Sequence, residues 1–141
     1  MKHLDNIKTL YFIGIGGIGM SALARYCKLK GYDVLGYDRT ESTITETLEK
    51  EDISVSFADS IESISKNNFD KETTLVVNTP AVKQNNILSW FQKEDYKIVK
   101  RAVLLGEVTK ETFCLAVAGT HGKTTTSAIL GHLLAETGMA V

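Results

Sequence analysis

Residues 115–126, Leu115-Ala-Val-Ala-Gly-Thr-His-Gly-Lys-Thr-Thr-Thr126, leave this chain few folds to choose from. The apolar run from Cys114 to Ala118 predicts a buried strand, a short glycine-containing turn follows, and Leu130, Leu133 and Leu134 mark a helix opening at Lys123. A strand that turns into a helix through Gly-x-x-Gly-Lys-Thr is the layout of a phosphate-binding loop. Gly119 and Gly122 let the backbone curl so that successive N–H groups converge, and the helix N-terminus adds partial positive charge. Thr120, His121 and Thr125 complete the loop, Lys123 can reach the β- and γ-phosphates of ATP, and the Thr124 hydroxyl is placed to ligate Mg²⁺. Val117 stands where the common form carries a further glycine, so the loop is a shortened variant starting at Ala118-Gly119.

The rest of the chain must supply a domain beside this loop. With 43% hydrophobic and 23% charged residues, the composition is that of a globular protein. Sixteen basic against seventeen acidic side chains leave a net charge of −1, so no field of one sign argues for nucleic acid or an anionic membrane as the main partner. The N-terminal residues carry no apolar core of a signal peptide, and no run approaches the roughly 18 apolar residues of a membrane span. Cys27 and Cys114 lie far apart with no clustered histidines and read as reduced core residues, which with the absent signal points to the cytoplasm. His3 and His132 read as surface or packing residues. A phosphate loop ordinarily begins a domain, and Val141 reads as the first step into another strand. The sequence is therefore expected to be the front part of a longer protein, with one domain over residues 1–110 and the beginning of a second over 111–141.

Taken in order, strands are predicted at 9–14, 32–37, 54–57, 74–78 and 98–99, and helices at 18–30, 41–51, around Ile61 and Ile64, at 86–94 and at 102–108. The alternation calls for an α/β fold: a Rossmann-like, mainly parallel sheet with helices on both faces, followed by the start of a second α/β unit. Thr109 to Thr112 reads as the linker between them.

A second glycine loop lies between the first strand and the first helix. Gly14-x-Gly16-x-x-Gly19 fits the dinucleotide fingerprint: a tight turn, close backbone approach to a pyrophosphate, and close helix–strand packing. Asp38 ends the second strand about 20 residues on, where an acid can bond ribose hydroxyls. By pattern alone this predicts NAD, but a UDP-sugar satisfies the same geometry. Gly17 opens the loop further, and Ser21 brings a hydroxyl into the first helical turn. One site for a carried diphosphate and another for ATP with Mg²⁺ suit an enzyme that activates a nucleotide-linked substrate better than a hydride transferase.

Phe12-Ile-Gly-Ile-Gly-Gly-Ile-Gly-Met-Ser21 together with Ala118-Gly-Thr-His-Gly-Lys-Thr-Thr-Thr126 resembles the Mur ligase family, and within it the members that add L-alanine to UDP-N-acetylmuramate. Gly36-Tyr-Asp38, Val77-Asn-Thr-Pro-Ala-Val82 and Lys100-Arg-Ala102 support the resemblance, which covers essentially the whole chain. It implies a Rossmann-like domain for the UDP end, a central ATPase domain and a third domain for the amino acid. The implied reaction, part of peptidoglycan precursor synthesis, is ATP-dependent amide formation through an acyl phosphate. Carried onto this sequence, Gly14, Gly16, Gly17, Ile18, Gly19, Met20 and Ser21 hold the UDP pyrophosphate, Asp38 faces the uridine ribose, and Thr79, Pro80, Ala81 and Arg101 border the same crevice. Lys123 and Thr124 take the catalytic positions on the ATP side. By itself an arginine such as Arg101 is more often a surface ion-pair residue than a ligand contact.

Three alternatives stand beside this reading. A ligase that returns recycled murein peptides to the same carrier belongs to the same class, but its glycine loop usually reads differently after the first two glycines, and Gly16-Gly-Ile-Gly-Met-Ser21 favours the alanine-adding members. An NAD-dependent oxidoreductase domain accounts for the first loop but leaves Gly122-Lys-Thr124 unexplained. A stand-alone UDP-sugar module needs no catalysis, and the fragment alone is expected to bind without turnover.

Overall fold

The structure, a computed structural model, describes residues 4, 6–65, 69–83 and 85–138. His3 and Val141 lie outside the described residues. The chain divides into two compact units, Met1–Glu111 and Thr112–Val141.

The first unit is a five-stranded sheet in the order β3-β2-β1-β4-β5, with every pairing parallel. Its strands are β1 (Thr9–Ile13), β2 (Asp33–Tyr37), β3 (Ser54–Ser56), β4 (Thr74–Asn78) and β5 (Lys97–Lys100). Between and after them run α1 (Ile18–Leu29), α2 (Thr43–Lys50), α3 (Ile61–Ser65), α4 (Asn86–Lys93) and α5 (Arg101–Glu111). The central strands are apolar without interruption because both faces are covered. In β1, Leu10 and Phe12 pack on one side with Met20, Leu23, Ala24 and Cys27 of α1, Leu48 of α2 and Leu104 and Val108 of α5. Tyr11 and Ile13 pack on the other with Ile64 of α3 and Ile87, Leu88 and Phe91 of α4. The two-residue period of the strand thus separates two cores.

Helix ends follow local chemistry. Ser42 caps α2 through a reciprocal capping box with Thr45. Asn85 caps α4, its Oδ1 accepting from the Leu88 N–H at 2.7 Å. The Asp59 carboxylate accepts from the N–H groups of Asn86 and Ile87, both at 3.1 Å, and so ties α4 to the loop before α3.

The chain leaves β1 for β2 and β3 on one side, then crosses to β4 and β5 on the other. The C-terminal ends of β1 and β4 therefore open a crevice where successive connections part, the place where such sheets bind ligands.

Three expectations are corrected. The expected linker 109–112 is mostly helix: α5 continues to Glu111, supported by the Thr109 hydroxyl donating to the Gly106 carbonyl and by the Lys110–Glu107 ion pair. Residues 114–118 form no strand. A strand needs a neighbour for its backbone ladder, and among the described residues the second unit has none. In consequence Cys114 is exposed, whereas Cys27 is buried as expected. Among the described residues the second unit holds one helix, α6 (Lys123–Glu136), with no buried residue. Among the described residues no helix is long and apolar enough to cross a membrane.

Candidate functional site

β1 ends at Ile13, and the next three N–H groups fasten the glycine loop to the end of β2. Gly14 and Ile15 both donate to the Tyr37 carbonyl, at 2.7 and 3.1 Å, and Gly16 donates to Asp38 Oδ2 at 2.7 Å. Gly14 has φ +83°, and a side chain there would press on Thr79 and Val82, which follow β4. The loop thus lies flat across the crevice, with β2 on one side and the segment after β4 on the other. Gly17 then starts α1 with no side-chain cap. Helix geometry leaves the first-turn N–H groups of Ile18 and Gly19 without intrahelical acceptors, the local requirement for binding an anion.

The crevice encloses about 730 Å³ and is lined by Gly14, Gly16, Gly17, Ile18, Gly19 and Met20 from the loop and α1. Tyr37, Asp38, Arg39, Thr40 and Ser42 line it from the β2–α2 connection, Thr79, Ala81, Val82, Lys83 and Asn85 from the β4–α4 connection, and Arg101 from the start of α5. Three cations, Arg39, Lys83 and Arg101, face one carboxylate, Asp38, in a chain whose net charge is −1. The excess of positive charge and the open helix end together suit a diphosphate. Burial raises the Tyr37 phenol above its ordinary value, and the Asp59 and Asp38 carboxylates add to the effect. Arg39 and the Asn85 amide oppose it, although Asn85 Nδ2 meets no acceptor at hydrogen-bond geometry.

The residues expected at the diphosphate site do not all take the places foreseen. Ser21 is buried, does not line the crevice, and donates its hydroxyl to the Ile18 carbonyl at 3.0 Å. Pro80 is exposed and also lies off the lining. Asp38 lines the crevice, but its two oxygens accept from Gly16 N–H and, at 3.2 Å, from Thr40 N–H. Arg101 sits with its guanidinium against the Cα of Gly19, where a methyl group would strike it. Sequence reasoning missed Tyr37, Arg39, Thr40, Ser42, Lys83 and Asn85. The signal was available, since each lies at or just after the C-terminal end of a strand, where parallel sheets gather ligand contacts.

In the second unit, Gly122 caps α6 in the left-handed conformation (φ 76°), and no side chain closes the helix end. Gly119 also has positive φ, 154°. Lys123 Nζ donates to the carbonyls of Gly119 and Thr120, at 2.6 and 3.2 Å, so the ammonium lies over the loop. Thr120, His121, Thr124 and Thr125 are exposed around it. An open helix N-terminus beneath a lysine is a donor set that fits a phosphate.

Comparison with known proteins agrees with this architecture. The family profile described as "Mur ligase family, catalytic domain" matches residues 9–112. UDP-N-acetylmuramate–L-alanine ligase of Christiangramia forsetii is 57% identical over the whole chain and 32% of its own length, and that of Flavobacterium psychrophilum is 55% identical over 99% of the chain and 31% of its own. Among solved structures, the UDP-N-acetylmuramate–alanine ligase of Thermotoga maritima superposes with a TM-score of 0.77 at 35% identity, covering 89% of this chain and 29% of that one. A murein peptide ligase from Psychrobacter arcticus superposes at 0.80 with 25% identity, covering 93% and 27%. The chain spans about a third of the length of the relatives it matches. A doubly covered parallel sheet, a glycine loop at its switch point and sequence identity along the whole chain have one common explanation: the chain belongs to the Mur ligase family.

Proposed function

We propose that these residues carry the UDP-sugar site and the ATP phosphate loop of a cytoplasmic ligase that joins L-alanine to UDP-N-acetylmuramate for peptidoglycan synthesis. In this reading residues 1–110 bind the UDP moiety and 111–141 begin the ATP-binding domain. The observation that carries it is the crevice: an uncapped α1 N-terminus behind a glycine loop, faced by Arg39, Lys83 and Arg101. Ile18 and Gly19 present first-turn N–H groups to the pyrophosphate, and Arg101 closes over it from α5. Thr79 and Ala81 line the route toward the sugar.

On the ATP side, Mg-ATP supplies the phosphoryl group that activates the muramate carboxylate. Lys123 offsets charge on the phosphates, the α6 N-terminus holds them, and the Thr124 hydroxyl takes the Mg²⁺ position. Since the chain covers about a third of its relatives' length, binding without turnover is the activity proposed for it alone.

The test is thermal unfolding of the 141-residue chain with UDP-N-acetylmuramate, NAD⁺ and Mg-ATP added separately. A ligand at ~100 times its dissociation constant adds about 2.7 kcal/mol, a shift of several degrees. The UDP-sugar is expected to shift the transition of the first unit. A shift with NAD⁺ and none with the UDP-sugar would replace this reading with the oxidoreductase one. A second reading is the murein peptide ligase: the superposition on one, at a TM-score of 0.80, reflects a shared fold, and the identity of 25% to it stands against 55–57% to alanine-adding enzymes. Comparing L-alanine with a murein peptide as the acceptor-dependent stimulus of ADP release by the longer protein separates the two.

A further inference from the structure

We infer that Asp38 is a positioning residue that braces the glycine loop, and that it does not read the ribose hydroxyls. The ribose role follows from the fingerprint pattern, in which the second glycine offers its N–H to a pyrophosphate and the acid after the second strand is left to the sugar. Here those two groups bond to each other: Gly16 N–H donates to Asp38 Oδ2 at 2.7 Å. The bond is the third rung of a series, after Gly14 and Ile15 on the Tyr37 carbonyl, so the side chain of Asp38 continues what the backbone of β2 begins.

The carboxylate is itself held in place. The backbone N–H of Asp38 donates to the Ser56 carbonyl of β3 at 3.0 Å, and the side-chain Oδ1 accepts from Thr40 N–H. A side chain at position 16 would meet Asp38 Oδ2 at 2.9 Å and Thr45 at 3.0 Å, so the loop and the carboxylate are in close contact as well as hydrogen-bonded. Two consequences follow for the ligand. The N–H of Gly16 is committed to the protein, which leaves Ile18 and Gly19 as the loop's donors to a diphosphate. A carboxylate beside a diphosphate would repel it, and two N–H bonds to that carboxylate offset its charge locally.

The test has one arm that needs no ligand and one that rests on the proposed UDP site. In the first, hydrogen exchange of the Gly16 amide is followed by NMR in the full chain and in Asp38→Ala and Asp38→Asn. Exchange is expected to quicken by about tenfold in Asp38→Ala and much less in Asp38→Asn, whose Oδ1 can still accept. In the second, UDP and 2′-deoxy-UDP are titrated into the same three proteins. Asp38→Ala is expected to weaken both by the same factor, about tenfold, leaving their affinity ratio unchanged, and Asp38→Asn to rescue both to within about threefold of the unmutated chain. Unchanged Gly16 exchange in Asp38→Ala overturns the brace. A UDP to deoxy-UDP ratio that collapses toward one in either variant makes Asp38 the ribose reader and overturns the inference equally. If the unmutated chain fails to bind UDP, the proposed site fails, while the exchange arm still decides the brace.

Discussion

Single residues show where local chemistry is in conflict and where it is satisfied. Thr74 opens β4 with its hydroxyl buried and without a partner among the described residues. Thr74→Val removes that orphan group at nearly constant shape and suits a strand, so stability is expected to rise by about 1 kcal/mol in urea denaturation. Gly19 is the opposite case, a site that tolerates change in the fold but not in the crevice. A methyl group at position 19 meets only the far end of the Arg101 side chain, which can swing away. Gly19→Ala is thus expected to leave stability unchanged or to raise it by up to about 1 kcal/mol through helix propensity. It should nonetheless weaken UDP-sugar binding, because Arg101 loses its seat. Calorimetric titration beside a denaturation curve reads both effects. The two cysteines differ in the same way. Burial pushes the Cys27 thiol up from 9.0 to about 12, and Cys114 is exposed. A thiol reagent at pH 8 is expected to modify one sulfur quickly and the other only on unfolding.

At the scale of elements, the crevice depends on how the connections after β2 and β4 are pinned. The β4–α4 connection supplies Thr79, Ala81, Val82, Lys83 and Asn85 to the lining, and α4 is held at its N-terminus by Asn85 and Asp59. Asp59→Ala leaves two N–H groups without an acceptor and removes a carboxylate from the positive end of a helix. The expected cost is about 1–2 kcal/mol, together with a weaker UDP-sugar site, though Asp59 lies off the lining. A denaturation midpoint compared with ligand affinity checks it. Most elements were legible in the sequence. The five strands and five helices of the first unit stand where apolar period and turn residues put them, because strands covered on both faces read as apolar runs. The exceptions have physical causes. The stretch Thr109 to Thr112 looks like a polar linker, but the side chains of Thr109 and Lys110 bond back onto the preceding turn and prolong α5. Residues 114–118 are apolar enough for a strand yet find no ladder partner among the described residues of their unit. Apolar composition states what could be buried, whereas a strand requires a neighbour.

The whole molecule consists of two units of unequal cohesion. The first buries an apolar core on both faces of its sheet, and the second has a helix with no buried side chain. Amides of α6 are expected to exchange with solvent orders of magnitude faster than those of β1 and β4, since a 14-residue helix is marginal without packing. Mass-resolved hydrogen exchange on the intact chain measures this. The core of the first unit also sets its response to alkali. Burial raises Cys27, Tyr11 and Tyr37, so the folded state holds protons that the unfolded chain releases. Their contribution to stability is complete below about pH 9 and is lost as pH rises from there toward the raised values. The urea midpoint is expected to be flat from pH 7 to 8.5 and to fall from pH 9 to 11.

The sequence alone determined the fold class, the two glycine loops and the family they resemble, because turn glycines and apolar period act over a few residues and are written in order along the chain. Tertiary structure alone decided what Asp38, Ser21 and Arg101 touch. The fingerprint offered Asp38 to a ribose, but its carboxylate meets Gly16 N–H, 22 residues away in sequence. Ser21 falls at helical spacing from the carbonyl of Ile18 and turns back to it. Arg39, Lys83 and Arg101 converge on one crevice only when β2, β1, β4 and β5 are laid side by side, in an order the linear chain does not state. Spacing along the chain sets which groups are available. The order of strands across the sheet sets which of them meet.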